Sequence, residues 1–184
     1  MHQRRALALC ALMSMFAVLC ALRVNAEPAT VGPVTLDIPA GFQHAATETR
    51  GNARVAGWVK GDATTKTLLQ VTIYDGGSDL PGAPAEKVLS AAADQYLGEF
   101  LKGIERRRTG YTQTAFEHLK LAGLPAARST WKGYLGNIAA VGVMYCVIVN
   151  NRLVVSLHTQ DVGTVVSPAM REAMNAFETL RLAK

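Results

Sequence analysis

The sequence predicts an α+β fold, one antiparallel sheet with a helix on each face. Three observations carry that expectation. From Gly110 onward, short apolar-rich runs alternate with turn residues, the pattern of successive hairpins. Residues 85–107 keep their apolar side chains at helical spacing. Residues 141–149 are apolar on both faces, with Val141, Val143, Tyr145 and Val147 on one and Met144, Cys146 and Ile148 on the other. A strand of that kind is central and covered on both sides, so the two helical segments are assigned to opposite faces of one sheet.

The chain of 184 residues opens on an export address. Arg4 and Arg5 precede an apolar run from Ala6 to Leu22 that only Ser14 interrupts, and Val24-Asn25-Ala26 then offers small residues for cleavage before Glu27. That is the three-part layout of a secretory signal peptide over residues 1–26. The apolar run follows the arginines at once, which suits Sec-type export better than the twin-arginine route. Lipid attachment at Cys20 is disfavoured because Leu19 precedes it, where a small residue is normal. The alternative is an uncleaved anchor, the run being at the lower limit for crossing a bilayer. The expected location is periplasmic or secreted, with residues 27–184 forming a single domain and no stable membrane insertion after cleavage.

Removing the leader changes what composition says. It takes away three of the 19 basic residues and none of the 14 acidic ones. The nearly balanced remainder gives no case for nucleic acid or for anionic membranes. Arg106-Arg107-Arg108 reads as the cationic end of a helix rather than a phosphate site. Cys10 and Cys20 also leave, and Cys146 alone cannot form an internal disulfide. Stability must come from burial, and a chain of this size hides roughly two-thirds of its unfolded surface.

Along the mature chain, residues 34–38 form a strand that ends at the reversal Pro39-Ala40-Gly41-Phe42. Residues 43–52 are polar and read as irregular, and 55–60 as a second strand bearing Trp58. In 66–74, Leu69, Val71 and Ile73 alternate with Gln70 and Thr72, which makes a half-buried strand. Residues 75–84 are a loop by composition. The long helix, about 85–107, buries a stripe that includes Val88, Leu89, Leu97, Leu101 and Ile104, with Pro84 suited to its first turn. Strands 116–121 and 126–134 join around Ala122-Gly123-Leu124-Pro125, and Gly136-Asn137 turns into 139–149. Asn150-Asn151 is read as a two-residue turn into 152–160. Ser167 caps a final helix, about 168–181, with Pro168 in its first turn and Met170, Ala173, Met174, Phe177 and Leu180 inward.

These signatures resemble the PsbP-like superfamily, including the DcrB-like periplasmic proteins. The features that carry it are Leu36-Asp37-Ile38-Pro39-Ala40-Gly41-Phe42, the helix at 85–107 and the Ala122-Gly123-Leu124-Pro125-Ala126-Ala127 corner. The Asn150-Asn151 hairpin and the ending Ala176-Phe177-Glu178-Thr179-Leu180 complete it. The resemblance implies an α/β/α sandwich with a central antiparallel sheet, and members that act as accessory proteins, assembly factors or binding partners. It brings no catalytic residue, since no matched position is a reactive group.

Candidate chemistry is thin. In a hairpin turning at Asn150-Asn151, Cys146 is expected opposite Val155 and His158 opposite Val143, on opposite faces, so no nucleophile–base pair with Asp161 is expected. Ser156 and His158 merely alternate on one strand, without a G-x-S-x-G elbow. His44, His118 and His158 lack metal-ligand spacing, His118 being expected on an exposed or interfacial face. Gly76-Gly77 lacks the layout of a phosphate cradle. Trp58, Trp131 and Tyr134 are core aromatics by default and a possible ligand or partner surface otherwise. The expectation is therefore a non-catalytic binding or assembly-accessory protein, not an enzyme, with no cofactor and an envelope protein as partner. The alternatives are a carrier of a small apolar ligand between sheet and helix, and a hydrolase with an unrecognised site.

Overall fold

The computed structural model describes residues 26–76, 85–150 and 152–182. Residues 1–25 of the expected leader, most of the 75–84 loop and Asn151 of the expected turn lie outside them. The main sheet has eight antiparallel strands. In spatial order they are β3 (Gln43–Arg50), β4 (Ala53–Lys60), β5 (Thr67–Asp75), β10 (Leu153–Val162), β9 (Ile138–Ile148), β8 (Leu124–Leu135) and β6 (Thr109–Gln113), and β7 (Glu117–Leu121) also pairs with β8. Helix α1 (Glu86–Glu105) lies across β8 and β9 on one face. Helix α2 (Pro168–Glu178) packs on β5 and β10 from the other. The predicted α+β class is the one observed. Among the described residues, no helix is long and apolar enough to cross a membrane.

The two-sided apolar strand is central, as expected. Met144, Cys146 and Ile148 of β9 join Leu97 and Leu101 of α1 in one core. Val143, Tyr145 and Val147 join Met170 and Phe177 of α2 in the other. Helix α2 starts where the sequence places it, the Ser167 hydroxyl accepting the Met170 N–H at 3.0 Å. It stops at Glu178, short of residue 181, because Thr179 closes it. The Thr179 hydroxyl donates to the Ala176 carbonyl at 2.7 Å and accepts the Asp37 N–H at 2.8 Å. Helix α1 likewise ends at Glu105, where the Arg107 and Arg108 N–H groups close on the carbonyls of Ile104 and Glu105. Val88, expected inward, is 57% exposed.

Three further corrections concern strands. Residues 43–50 form edge strand β3, exposed along its whole length. An edge strand uncovered on both faces needs no apolar alternation, and charges such as Glu48 and Arg50 discourage pairing with another chain. A second sheet orders β1 (Glu27–Val31), β2 (Val34–Ile38) and β11 (Arg181–Leu182) beside α2. Strand β1 was hidden by Pro28, which a sheet edge tolerates. The third correction is register: Cys146 lies opposite Ser156 and His158 opposite Met144, one residue off the expected pairing. The Asn150 side chain accepts the N–H groups of Arg152 and Leu153 at 2.9 and 2.8 Å, so the reversal is longer than a two-residue turn.

The β7–β8 corner is tighter than expected, because β8 already starts at Leu124. Ala122 and Gly123 form the turn with φ of 52° and 76°. Two positive φ values define the mirror-image hairpin turn that Asn-Gly favours, and a left-handed alanine costs roughly 1–2 kcal/mol. Ala122→Asn is therefore expected to stabilise the chain by about 0.5–1 kcal/mol, read as a higher urea midpoint at unchanged m-value. A lower midpoint would contradict this turn geometry.

Candidate functional site

The three aromatic candidates do not converge. Trp58, on β4, is buried in the core on the α2 side, and Trp131, on β8, is fully buried in the core beneath α1. Tyr134 stands exposed with Leu135 and Ile138 where β8 turns into β9. Core packing accounts for both tryptophans. Trp58 also borders a separate surface recess with Phe42 and His44.

The one-residue register change puts Cys146 and His158 on the same face, contrary to expectation, yet no hydrogen bond joins them among the described residues. Burial, with a smaller contribution from Asp94, pushes the Cys146 thiol up to about 12. Burial, reinforced by Arg108, pulls His158 down to about 3. Asp161 faces the opposite side of the sheet. Its carboxylate accepts the Thr67 hydroxyl at 2.5 Å and the Ser167 N–H at 2.7 Å, tying β5 to the start of α2. The three residues do not assemble into a relay. His118 does sit at an interface, 2.9 Å from Asp94 of α1, and His44 bonds Thr47. Among the described residues, no group of three or more His, Cys, Asp or Glu could hold a metal ion.

Cys146 should accordingly be inert. An Ellman-type reagent is expected to leave the native Cys146 thiol unmodified over hours and to titrate it in denaturant. Rapid native labelling would contradict this burial.

What the structure does assemble is a recess of about 410 Å³ beside the C-terminal half of α1. Its floor follows from strand order. Helix α1 covers β8 and β9, leaving the β5–β10 part of that face only partly covered. There Thr72 lies opposite Ser156, Gln70 opposite His158, and Leu68 opposite Gln160. These are the residues that alternate with the apolar core positions of β5 and β10, so the period-2 pattern sends polar groups to this face. Phe100, Ile104, Arg107 and Arg108 form the helix-side wall.

Arg108 is held in place from two directions. Its guanidinium lies 4.5 Å over the Trp131 ring, and its Nη2 donates to the Gln160 side-chain oxygen at 3.0 Å. Burial first, then the neighbouring Arg107 charge, lowers its pKa from the usual arginine value. Among the described residues, Arg108 Nε and His158 Nε2 are buried without a hydrogen-bond partner. The helix-end reading of the arginine run holds for Arg106, which caps α1. It misses Arg107 and Arg108, which line the recess. The signals available were the polar members of two alternating strands and three consecutive arginines, but nothing local ties β5 to β10.

Comparison with known proteins adds a fold relationship. No family model matches the chain, and no curated protein matches it in sequence. Among solved structures, it is similar to LpqN of Mycobacterium tuberculosis, described as involved in cell envelope biogenesis. The TM-score is 0.57 at 13% identity, covering 86% of this chain and 90% of that one. It is also similar to the Ran-binding protein Mog1p of Saccharomyces cerevisiae, with a TM-score of 0.51 at 12% identity over 86% and 96% of the two chains. A second Mog1 structure gives 0.55 at 11% identity with the same coverage. At such identities the shared property is the fold.

Proposed function

We propose that this chain is a non-catalytic binding or assembly-accessory protein that works outside the cytoplasm, as a PsbP-like, DcrB-like member of its fold. The observation that carries the reading is the recess beside α1, open and polar-floored, with a neutral unpaired histidine and no nucleophile–base hydrogen bond within it. A held arginine and neutral polar groups around an open recess offer hydrogen bonds to a bound molecule, which supports a recognition role. The export layout of the leader supports the location. The fold similarity to a protein of envelope biogenesis and to a Ran-binding protein agrees with a binding role. The space between sheet and α1 is filled by Leu97, Leu101, Trp131 and Cys146, which favours a ligand at the rim over an apolar molecule enclosed there.

The test is site-directed photocrosslinking in intact cells. A photoreactive residue replacing Gln70 on the recess floor is expected to give a discrete adduct. One replacing Thr47 on exposed β3 is expected to give none. Adducts from both positions alike, or none from Gln70, would count against the recess as the working surface. Turnover in ester, peptide or glycoside screens that disappears in Ser156→Ala would overturn the non-catalytic reading.

A further inference from the structure

We propose that the recess beside α1 binds an organic oxyanion, a carboxylate or a phosphate ester, gripped by Arg107 and Arg108 above a carboxylate-free polar floor. The inference rests on the reading of the chain as a binding protein and names the chemistry the recess takes. Charge comes first. Other arginines that reach across strands find carboxylates: Arg128 pairs with Glu117 and Arg181 with Asp37. Among the described residues no carboxylate pairs with Arg107 or Arg108, although the two are close enough for one charge to act on the other. An anion between them relieves that repulsion.

The floor points the same way. Gln70, Thr72, Ser156, His158 and Gln160 supply neutral donors and acceptors and no acid, so no negative charge on the floor opposes an anion held by the arginines. His158 is 6% exposed, lines the recess, and carries an unpartnered Nε2. A buried polar group in that state carries a desolvation penalty, which a hydrogen bond to a ligand or its bound water relieves. Stacking on Trp131 and the bond to Gln160 fix the guanidinium of Arg108, and a planar fork held this way matches carboxylate and phosphate oxygens. The organic part follows from the wall. Leu68, Phe100, Ile104 and Met144 line the same recess as the arginines, an apolar surface for the rest of the ligand, and Phe100 packs on Tyr96 with ring centroids 6.4 Å apart.

The experiment uses the mature chain carrying Trp58→Phe, which leaves Trp131 as its sole tryptophan. Octyl phosphate and octanoate are each expected to give a saturable change in Trp131 emission. Inorganic phosphate should bind at least tenfold more weakly, and octanol should give no response. Arg107→Gln, at an exposed side chain, is expected to weaken octyl phosphate binding at least fivefold at unchanged Tm. Arg108→Gln should weaken it at least tenfold, with folding confirmed by circular dichroism. An equal response to octanol would overturn the proposal, as would unaltered binding by Arg107→Gln. Inorganic phosphate binding as tightly as octyl phosphate would assign the free ion and overturn the organic part. Failure of all the anions while Gln70 crosslinks persist would remove the oxyanion assignment alone; failure of both would remove the binding reading as well.

Discussion

Trp131→Ala is expected to lower folding stability by about 3–5 kcal/mol, the range for truncating a large buried aromatic. The ring is fully buried and lies over Gly142, its cross-strand partner on β9. A Cβ at Gly142 would fall on the indole itself. Tyr111 stacks beside the ring with centroids 6.5 Å apart, and Arg108 covers it. Gly142→Ala should therefore cost about 1–3 kcal/mol through overpacking. The two substitutions should not add, because removal of the indole vacates the space the new methyl needs. Urea unfolding of both single variants and the double variant checks this. A coupling of at least about 1 kcal/mol is expected, by analogy with contacting core pairs. Strict additivity would contradict the packing of ring on glycine.

The second large effect is acid destabilisation through His158. In the folded chain this imidazole titrates near 3, burial being the main cause and Arg108 the second. In the unfolded chain it titrates near 6.5. Its folded pKa is thus depressed, so below about 6.5 the unfolded state takes up a proton that the native state refuses. The stability this histidine contributes is complete above pH 6.5 and declines as pH falls toward 3. The slope approaches about 1.4 kcal/mol per pH unit, or roughly 3 kcal/mol lost by pH 4. His158→Gln should flatten the unfolding free energy between pH 6.5 and 4.5. Asp37 and Glu99, with lowered pKa values, and Asp62, at about 2, act below that window. An unchanged slope in the variant would show that His158 is not held neutral by its surroundings.

Much of the scaffold was legible because its signals are local. The alternation of Leu69, Val71 and Ile73 with Gln70 and Thr72 marks a half-covered strand and even names the residues of the recess floor. The two apolar faces of β9 place it at the centre, and Ser167-Pro168 marks the start of α2. What escaped is set by distant partners. Strand β3 is a strand because β4 lends it hydrogen bonds, and every one of its own residues is exposed. Strands β1 and β11 exist only as neighbours of β2. The β9–β10 register turns on one asparagine side chain, and the slip of one residue moves His158 to the face that Cys146 occupies. The recess joins residues from β5, α1 and β10, so neither Gln70 nor Arg108 reveals the other in sequence. Trp58, Trp131 and Tyr134 were conspicuous by size, and two of the three are core.

Native mass spectrometry of the chain purified from cells, beside a variant carrying Arg107→Gln and Arg108→Gln, tests the central claim most directly. Binding of an organic oxyanion in the recess requires a bound non-protein mass on the unaltered chain that is absent from a folded double variant. The same bound mass on both chains, or protein mass alone on both, would contradict it.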